Sequence, residues 1–193
     1  MRKQICTGLG ILALAAAALG AGIGSASAAD GGAVADRASG TNAKPGAVRA
    51  VAALNYVGQY RIHSNYNGKC LDADLNTIGA NGTKVQLWDC NGWTNQNWTL
   101  WTDGNIDYIQ NNYSGRYLDA DLNTIGANGT KVQLWDYNGW TNQRWNAASY
   151  GWVNGYNGRV LDADLNTIGA NGTKVQLWDS NGWSNQGWWL ESI

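Results

Sequence analysis

One string, LDADLNTIGANGTKVQLWD, occurs three times without a change, at 71–89, 118–136 and 161–179. Extended to the next tryptophan, the copies run Leu71–Trp98, Leu118–Trp145 and Leu161–Trp188, and they differ at only three positions. A repeat of this length is one supersecondary unit, too small to bury its apolar face alone, so its copies must share a core. Within a copy, Lys84-Val85-Gln86-Leu87-Trp88 reads as a strand: Val85 and Leu87 share one face, Gln86 and Trp88 the other. Asp103-Gly104, between Trp98–Trp101 and Ile106–Ile109, signals a hairpin. Asn-Gly pairs at 67–68, 81–82 and 91–92 mark turns. No stretch after Tyr56 carries a helical period, so the chain is expected to be all-β. A propeller needs four or more blades, and an open solenoid needs atypical end repeats. Closed threefold symmetry suits three near-identical units over 56–193, divided at about 56–101, 102–147 and 148–193.

The segment before Tyr56 has a different character. All 12 Trp and 9 Tyr lie at or beyond Tyr56, and the chain has no Phe. Arg2 and Lys3 precede an apolar run from Ile5 to Leu19 and then Ala26-Ser27-Ala28-Ala29, the pattern of a secretory leader over 1–28. Five glycines between Gly8 and Gly24 interrupt that region, and the run is shorter than the ~20 apolar residues of a membrane span. Residues 29–55, rich in Ala and Gly, read as a flexible linker or pro-segment that cannot offset its own ordering entropy. The expectation is a secreted, monomeric protein with no membrane insertion. Charged residues make up 14% of the chain and the net charge is −1, which argues against nucleic acid as a partner, since phosphate binding needs a basic surface.

Cys6 would leave with the leader, and Cys70 and Cys90 remain as an even pair in an exported chain, for which a disulfide is the default. A zinc site would need two further ligands, and the single histidine is His63. Asp72, Asp74 and Asn76 match the first ligand positions of a helix–loop–helix calcium site. Thr77 stands where that loop needs Gly and Thr83 where it needs Glu. No metal and no cofactor is expected.

Gln96-Asn97-Trp98, Gln143-Arg144-Trp145 and Gln186-Gly187-Trp188 occupy the same place in each copy, behind Cys70-Leu71-Asp72 and Val85-Gln86-Leu87-Trp88-Asp89-Cys90. This arrangement, in register across 56–193, resembles the QxW motif of the ricin B-type lectins, also classed as family 13 carbohydrate-binding modules. The resemblance implies a β-trefoil: twelve strands, a six-stranded barrel capped by three hairpins, and up to three sugar pockets. It also implies that Cys70 pairs with Cys90. The other units carry Tyr117/Tyr137 and Val160/Ser180 there and have no such link.

A sugar presents hydroxyls on its rim and C–H groups on one face, so a pocket wants a carboxylate or amide for the one and a flat aromatic ring for the other. The resemblance assigns Asp72 as acceptor, Trp88 as stacking platform, and Gln86, Asn95 and Gln96 as further polar contacts. The same roles fall on Asp119, Gln133, Trp135, Asn142 and Gln143, and again on Asp162, Gln176, Trp178, Asn185 and Gln186. The implied partners are glycans of galactose or xylose type.

Several of these residues admit structural roles. Trp98, Trp145 and Trp188 are expected in the core. Gln96, Gln143 and Gln186 serve either the pocket or backbone groups beside it. Trp93, Trp140 and Trp183 are either a pocket wall or a lid on the hairpin. Asp89, Asp136 and Asp179 are expected to cap backbone N–H groups. Catalysis is not expected: Asp72 and Asp74 are two carboxylates, but nothing in the sequence sets their pKa values apart, as glycoside hydrolysis requires. The alternative to a lectin is a trefoil protein-interaction or protease-inhibitor module, in which one loop of one unit does the work. Here the units agree most where the sugar site would lie.

Overall fold

The computed structural model describes residues 2–4 and 53–193. The expected leader beyond Gln4, its cleavage point and the linker up to residue 52 lie outside the described residues. Arg2–Gln4 form a short strand, β1, paired antiparallel with the last strand of the chain.

Twelve further strands span 55–192. They are β2 (Asn55–Ser64), β3 (Cys70–Ala73), β4 (Thr83–Trp88) and β5 (Asn97–Thr102) in the first unit; β6 (Asp107–Asn111), β7 (Tyr117–Ala120), β8 (Thr130–Trp135) and β9 (Trp145–Ala148) in the second; and β10 (Gly151–Asn154), β11 (Val160–Ala163), β12 (Thr173–Trp178) and β13 (Trp188–Ser192) in the third. The outer strands join edge to edge in the order β13-β2-β5-β6-β9-β10, all antiparallel. The inner pairs β3–β4, β7–β8 and β11–β12 form three hairpins. This is the β-trefoil, a barrel capped by three hairpins.

The hairpins meet in a closed ring. Thr83 and Lys84 pair with Leu134 and Gln133, Thr130 and Lys131 with Leu177 and Gln176, and Thr173 and Lys174 with Leu87 and Gln86. The alternation read from the sequence explains why. Val85 and Leu87, with their copies Val132, Leu134, Val175 and Leu177, are fully buried in one core with Leu71, Leu118 and Leu161. Trp98, Trp145 and Trp188 join that core, as expected, and each indole N–H donates at 3.0 Å to the carbonyl of Leu71, Leu118 or Leu161. A buried indole N–H without a partner would cost about 1–3 kcal/mol, so the motif tryptophan ties its hairpin to the barrel as it fills the core.

The expected Asp103-Gly104 hairpin is present, but its connection is longer than two residues. Thr102 pairs with Asp107, and Asp103 N–H donates to the Ile106 carbonyl at 3.2 Å, so four residues make the turn. The units also differ where the resemblance said they would. Cys70 and Cys90 are joined by a disulfide. In the second unit the same place is filled by rings, with Tyr117 and Tyr137 centroids 4.9 Å apart and Tyr108 against Tyr137 at 5.7 Å. Among the described residues no helix is long and apolar enough to cross a membrane.

Candidate functional site

Each unit folds one carboxylate into its hairpin. Asp72 lies on β3 opposite Gln86 on β4, on the face that alternation turns away from Leu71 and Leu87. Gln86 Nε2 donates to Asp72 Oδ1 at 3.0 Å, while Asn95 Nδ2 and Gln96 Nε2 donate to Oδ2 at 2.8 and 2.9 Å. A single 3-10 turn, Thr94–Gln96, delivers the last two side chains. Asp119 receives the same three bonds from Gln133, Asn142 and Gln143, and Asp162 from Gln176, Asn185 and Gln186. The structure thus brings together all the polar site residues that the sequence nominated, unit by unit.

A carboxylate has about four lone-pair positions. Three are filled by amide N–H donors, leaving one on Oδ1 of each aspartate. The carboxyls are 2–4% exposed, and burial pushes all three pKa values up against the pull of the amide donors, that of Asp119 to about 6. Asn95, Asn142 and Asn185 each keep a buried Oδ1 with no hydrogen-bond partner, at the same position in every unit.

Trp88, Trp135 and Trp178 end β4, β8 and β12 and are each 38% exposed. Their half-open rings stand one strand position beyond Leu87, Leu134 and Leu177, on the same strand face as the pocket glutamines. The wall beside each ring comes from the next unit. Gly172 sits so that a Cβ there would lie 3.7 Å from Gln86 Oε1 and 3.9 Å from the Trp88 ring, and its φ of +89° favours glycine. Gly172 N–H donates to the Leu87 carbonyl at 2.8 Å, and Lys84 Nζ donates to the Gly172 carbonyl at 2.8 Å. Gly82 and Gly129 do the same for the second and third units. Sequence reading missed this contribution, because Asn81-Gly82 and its copies signalled only a local turn.

Gln96 bonds both the Asp72 carboxylate and backbone groups beside it. Besides Asp72, its Nε2 donates to the Asp89 carbonyl at 3.0 Å and its Oε1 receives Asn91 N–H at 3.0 Å. Asp89, Asp136 and Asp179 are a correction: their carboxylates do not cap local backbone N–H groups. Asp89 accepts from Asn171 Nδ2 at 2.9 Å and pairs with Lys69. Asp136 takes Asn81 and Arg116, and Asp179 takes Asn128 and Arg159. The asparagine in each case belongs to the neighbouring unit, so these acids clasp units together. The cap is supplied instead by that same asparagine, whose Oδ1 receives the aspartate's own N–H at 2.8–2.9 Å.

His63, Cys70 and Cys90 cluster closely enough to suggest metal ligands, but the disulfide leaves neither cysteine a thiolate. His63 faces the Gly68 carbonyl at 3.0 Å through Nδ1 and Glu191 at 3.1 Å through Nε2, with its ring stacked on Trp189.

The chain is similar in structure to the designed threefold-symmetric protein ThreeFoil, with 26% identity and a TM-score of 0.66 over 71% of this chain and all of that one. It is similar to the Rhizoctonia solani agglutinin at 28% identity and a TM-score of 0.60, over 70% of this chain and 95% of the other. It also matches an exo-β-1,3-galactanase from Clostridium thermocellum at 26% identity and a TM-score of 0.64, over 71% of this chain but only 30% of that enzyme. A search of curated proteins returns no match. The ricin-type β-trefoil lectin domain matches residues 58–191, from the bulge of β2 to the last strand. With three Asp-centred amide networks on three hairpins, the chain belongs to the ricin-type β-trefoil lectin domain family.

Proposed function

We propose that this domain is a multivalent glycan-binding protein with three equivalent pockets, centred on Asp72, Asp119 and Asp162. The observation that carries the reading is the pairing, three times over, of a buried carboxylate with one open lone pair and a half-exposed tryptophan on the same strand face. The carboxylate accepts from a sugar hydroxyl, and Trp88, Trp135 or Trp178 stacks on the C–H face. Gln86, Asn95 and Gln96, with their copies, are buried and hold the carboxylate's orientation. The ligand class is galactose- or xylose-type sugar; the likeness to part of an exo-β-1,3-galactanase supports the galactose side of that choice. The activity is binding rather than catalysis, since three amide donors fix the Asp72 carboxylate in place and Asp74 Oδ1 is engaged by Asn76. A disulfide fits an oxidising compartment, which supports the reading of a secreted protein with residues 1–28 as leader and 29–55 as linker or pro-segment.

One shallow pocket with a single stacked ring corresponds to a Kd of about 1 mM, near −4 kcal/mol. Three pockets on one body gain on polymers by effective concentration, on the order of 10²-fold. The test is calorimetric titration of galactose, xylose, galactan and xylan against the wild type and Asp72→Asn, Asp119→Asn and Asp162→Asn. Three sites per chain, one lost per substitution, and a graded fall in polymer avidity are expected. Equal affinity for monomer and polymer refutes the three-pocket reading, and capture of a protein with no sugar binding favours an interaction module.

A further inference from the structure

The first and third units each carry a further tryptophan, Trp93 and Trp183, that neither the core nor the carboxylate network uses. Trp93 and Trp183 are 59% and 61% exposed, far more open than the 38% of Trp88 and Trp178. The loop that bears Trp93 starts at Trp88 and ends at Asn95, so both its ends are pocket residues. It is also held rigidly. Gln96, which contacts Asp72, bonds the loop backbone at Asp89 and Asn91, and Trp93 N–H donates to Asn91 Oδ1 at 2.9 Å. Gly92 makes the bend at φ +79°. The Trp93 carbonyl then accepts Gln96 N–H at 3.0 Å. Trp183 repeats every one of these bonds with Asn181 and Gln186, and the backbone angles agree: φ −77°, ψ 154° at Trp93 and φ −83°, ψ 156° at Trp183.

Trp93 Cα is two residues from Asn95 Cα, hence within about 7 Å of it. The open indole stands on a backbone pinned to the hydrogen-bond network that holds Asp72, two residues from Asn95, which itself donates to Asp72. We propose that Trp93 and Trp183 are second stacking platforms, each for the next sugar along a chain whose first residue occupies the Asp72 or Asp162 pocket. The proposal rests on the glycan-binding reading above and deepens it: the first and third units select oligosaccharide chains over isolated monosaccharides. A large ring with only two side-chain torsions, on a pinned backbone, loses little entropy on binding, which suits it to an uncharged, C–H-faced ligand.

The experiment measures affinity against chain length, using galactose, β-1,3-galactobiose and β-1,3-galactotriose, and in parallel xylose, xylobiose and xylotriose. The proteins are the wild type, Trp93→Ala/Trp183→Ala and Trp93→Phe/Trp183→Phe. The wild type should bind the di- or trisaccharide of one series about three- to ten-fold more tightly per site than its monosaccharide. The alanine variant should bring that ratio close to one, and the phenylalanine variant should keep part of it. A flat ratio in the wild type overturns the proposal, as does a ratio that survives both alanine substitutions. Loss of monosaccharide binding along with the ratio also overturns it, by making these rings walls of the first pocket. Failure of the wild type to bind any of the six sugars defeats the glycan-binding reading itself, an outcome separate from the other three.

Discussion

Gln96 Nε2 lies 2.9 Å from Asp72 Oδ2 and 3.0 Å from the Asp89 carbonyl, so one amide group joins the carboxylate to the loop that follows Trp88. The glutamine of the QxW motif is fully buried and its side chain is spent on the protein. It positions the site and does not itself face solvent.

Gln96→Leu should therefore destabilise the fold as well as weaken sugar binding. It strips the buried Asp72 of a donor, at a cost of about 1–3 kcal/mol, and releases Asn91 N–H and the Asp89 carbonyl from the loop. Urea denaturation should show a lower midpoint with an unchanged slope. A variant as stable as the wild type would mean that the loop repacks without the glutamine.

In the first unit, Trp88 and Trp98 should separate cleanly. Trp88→Ala removes a ring that is already half in water, so the melting temperature should hardly move while binding in the first pocket is lost. Trp98→Ala empties a fully buried site and breaks the bond to the Leu71 carbonyl, a cost of roughly 3–5 kcal/mol. Thermal melts read beside sugar titrations check both.

Sugar binding should weaken in acid, first measured at the second pocket. Asp119 titrates at about 6 because burial disfavours its charge. All three of its partners are N–H donors, so protonation places an O–H against donors and removes the acceptor. Titrations at pH 7 and pH 5 should show fewer competent sites at pH 5. Stability runs the opposite way. A carboxyl whose folded pKa is raised stabilises the fold below its unfolded value near 4, and that contribution fades as pH rises through about 6. Asp107, also near 6 through burial and the neighbouring Asp103 charge, acts with the same sign. Denaturation midpoints measured from pH 4 to pH 7 should show these two contributions declining.

Replacing Cys70 and Cys90 by alanine opens a loop of sequence separation 20. The expected loss is about 3 kcal/mol, confined to stability and the first pocket, because the other two units hold their hairpins without a disulfide. Monosaccharide stoichiometry should fall by at most one site.

The repeated string determined by itself that the fold has three units, and the alternation in Val85-Gln86-Leu87-Trp88 determined which side chains face the core and which face away from it. Those properties follow from local periodicity, and a strand with one buried face admits a single register. The Gln-x-Trp spacing, read by resemblance, likewise placed Asp72 with Gln86, Asn95 and Gln96. Tertiary structure decided what crosses between units. Asp89 beside a turn looks like a local cap, and only the ring of hairpins brings Asn171 to it from 82 residues away. Gly172 looks like any Asn-Gly turn, yet it closes over Trp88 because β4 and β12 pair. The Asp103–Ile106 connection needed the barrel to settle its length, since the register of β5 against β6 is held by core residues such as Leu100 and Ile109 and not by the turn. Whether Trp93 is covered or open is likewise a property of the assembled surface: its own neighbours in the chain hold only its backbone, and the ring's exposure depends on what the other strands leave above it.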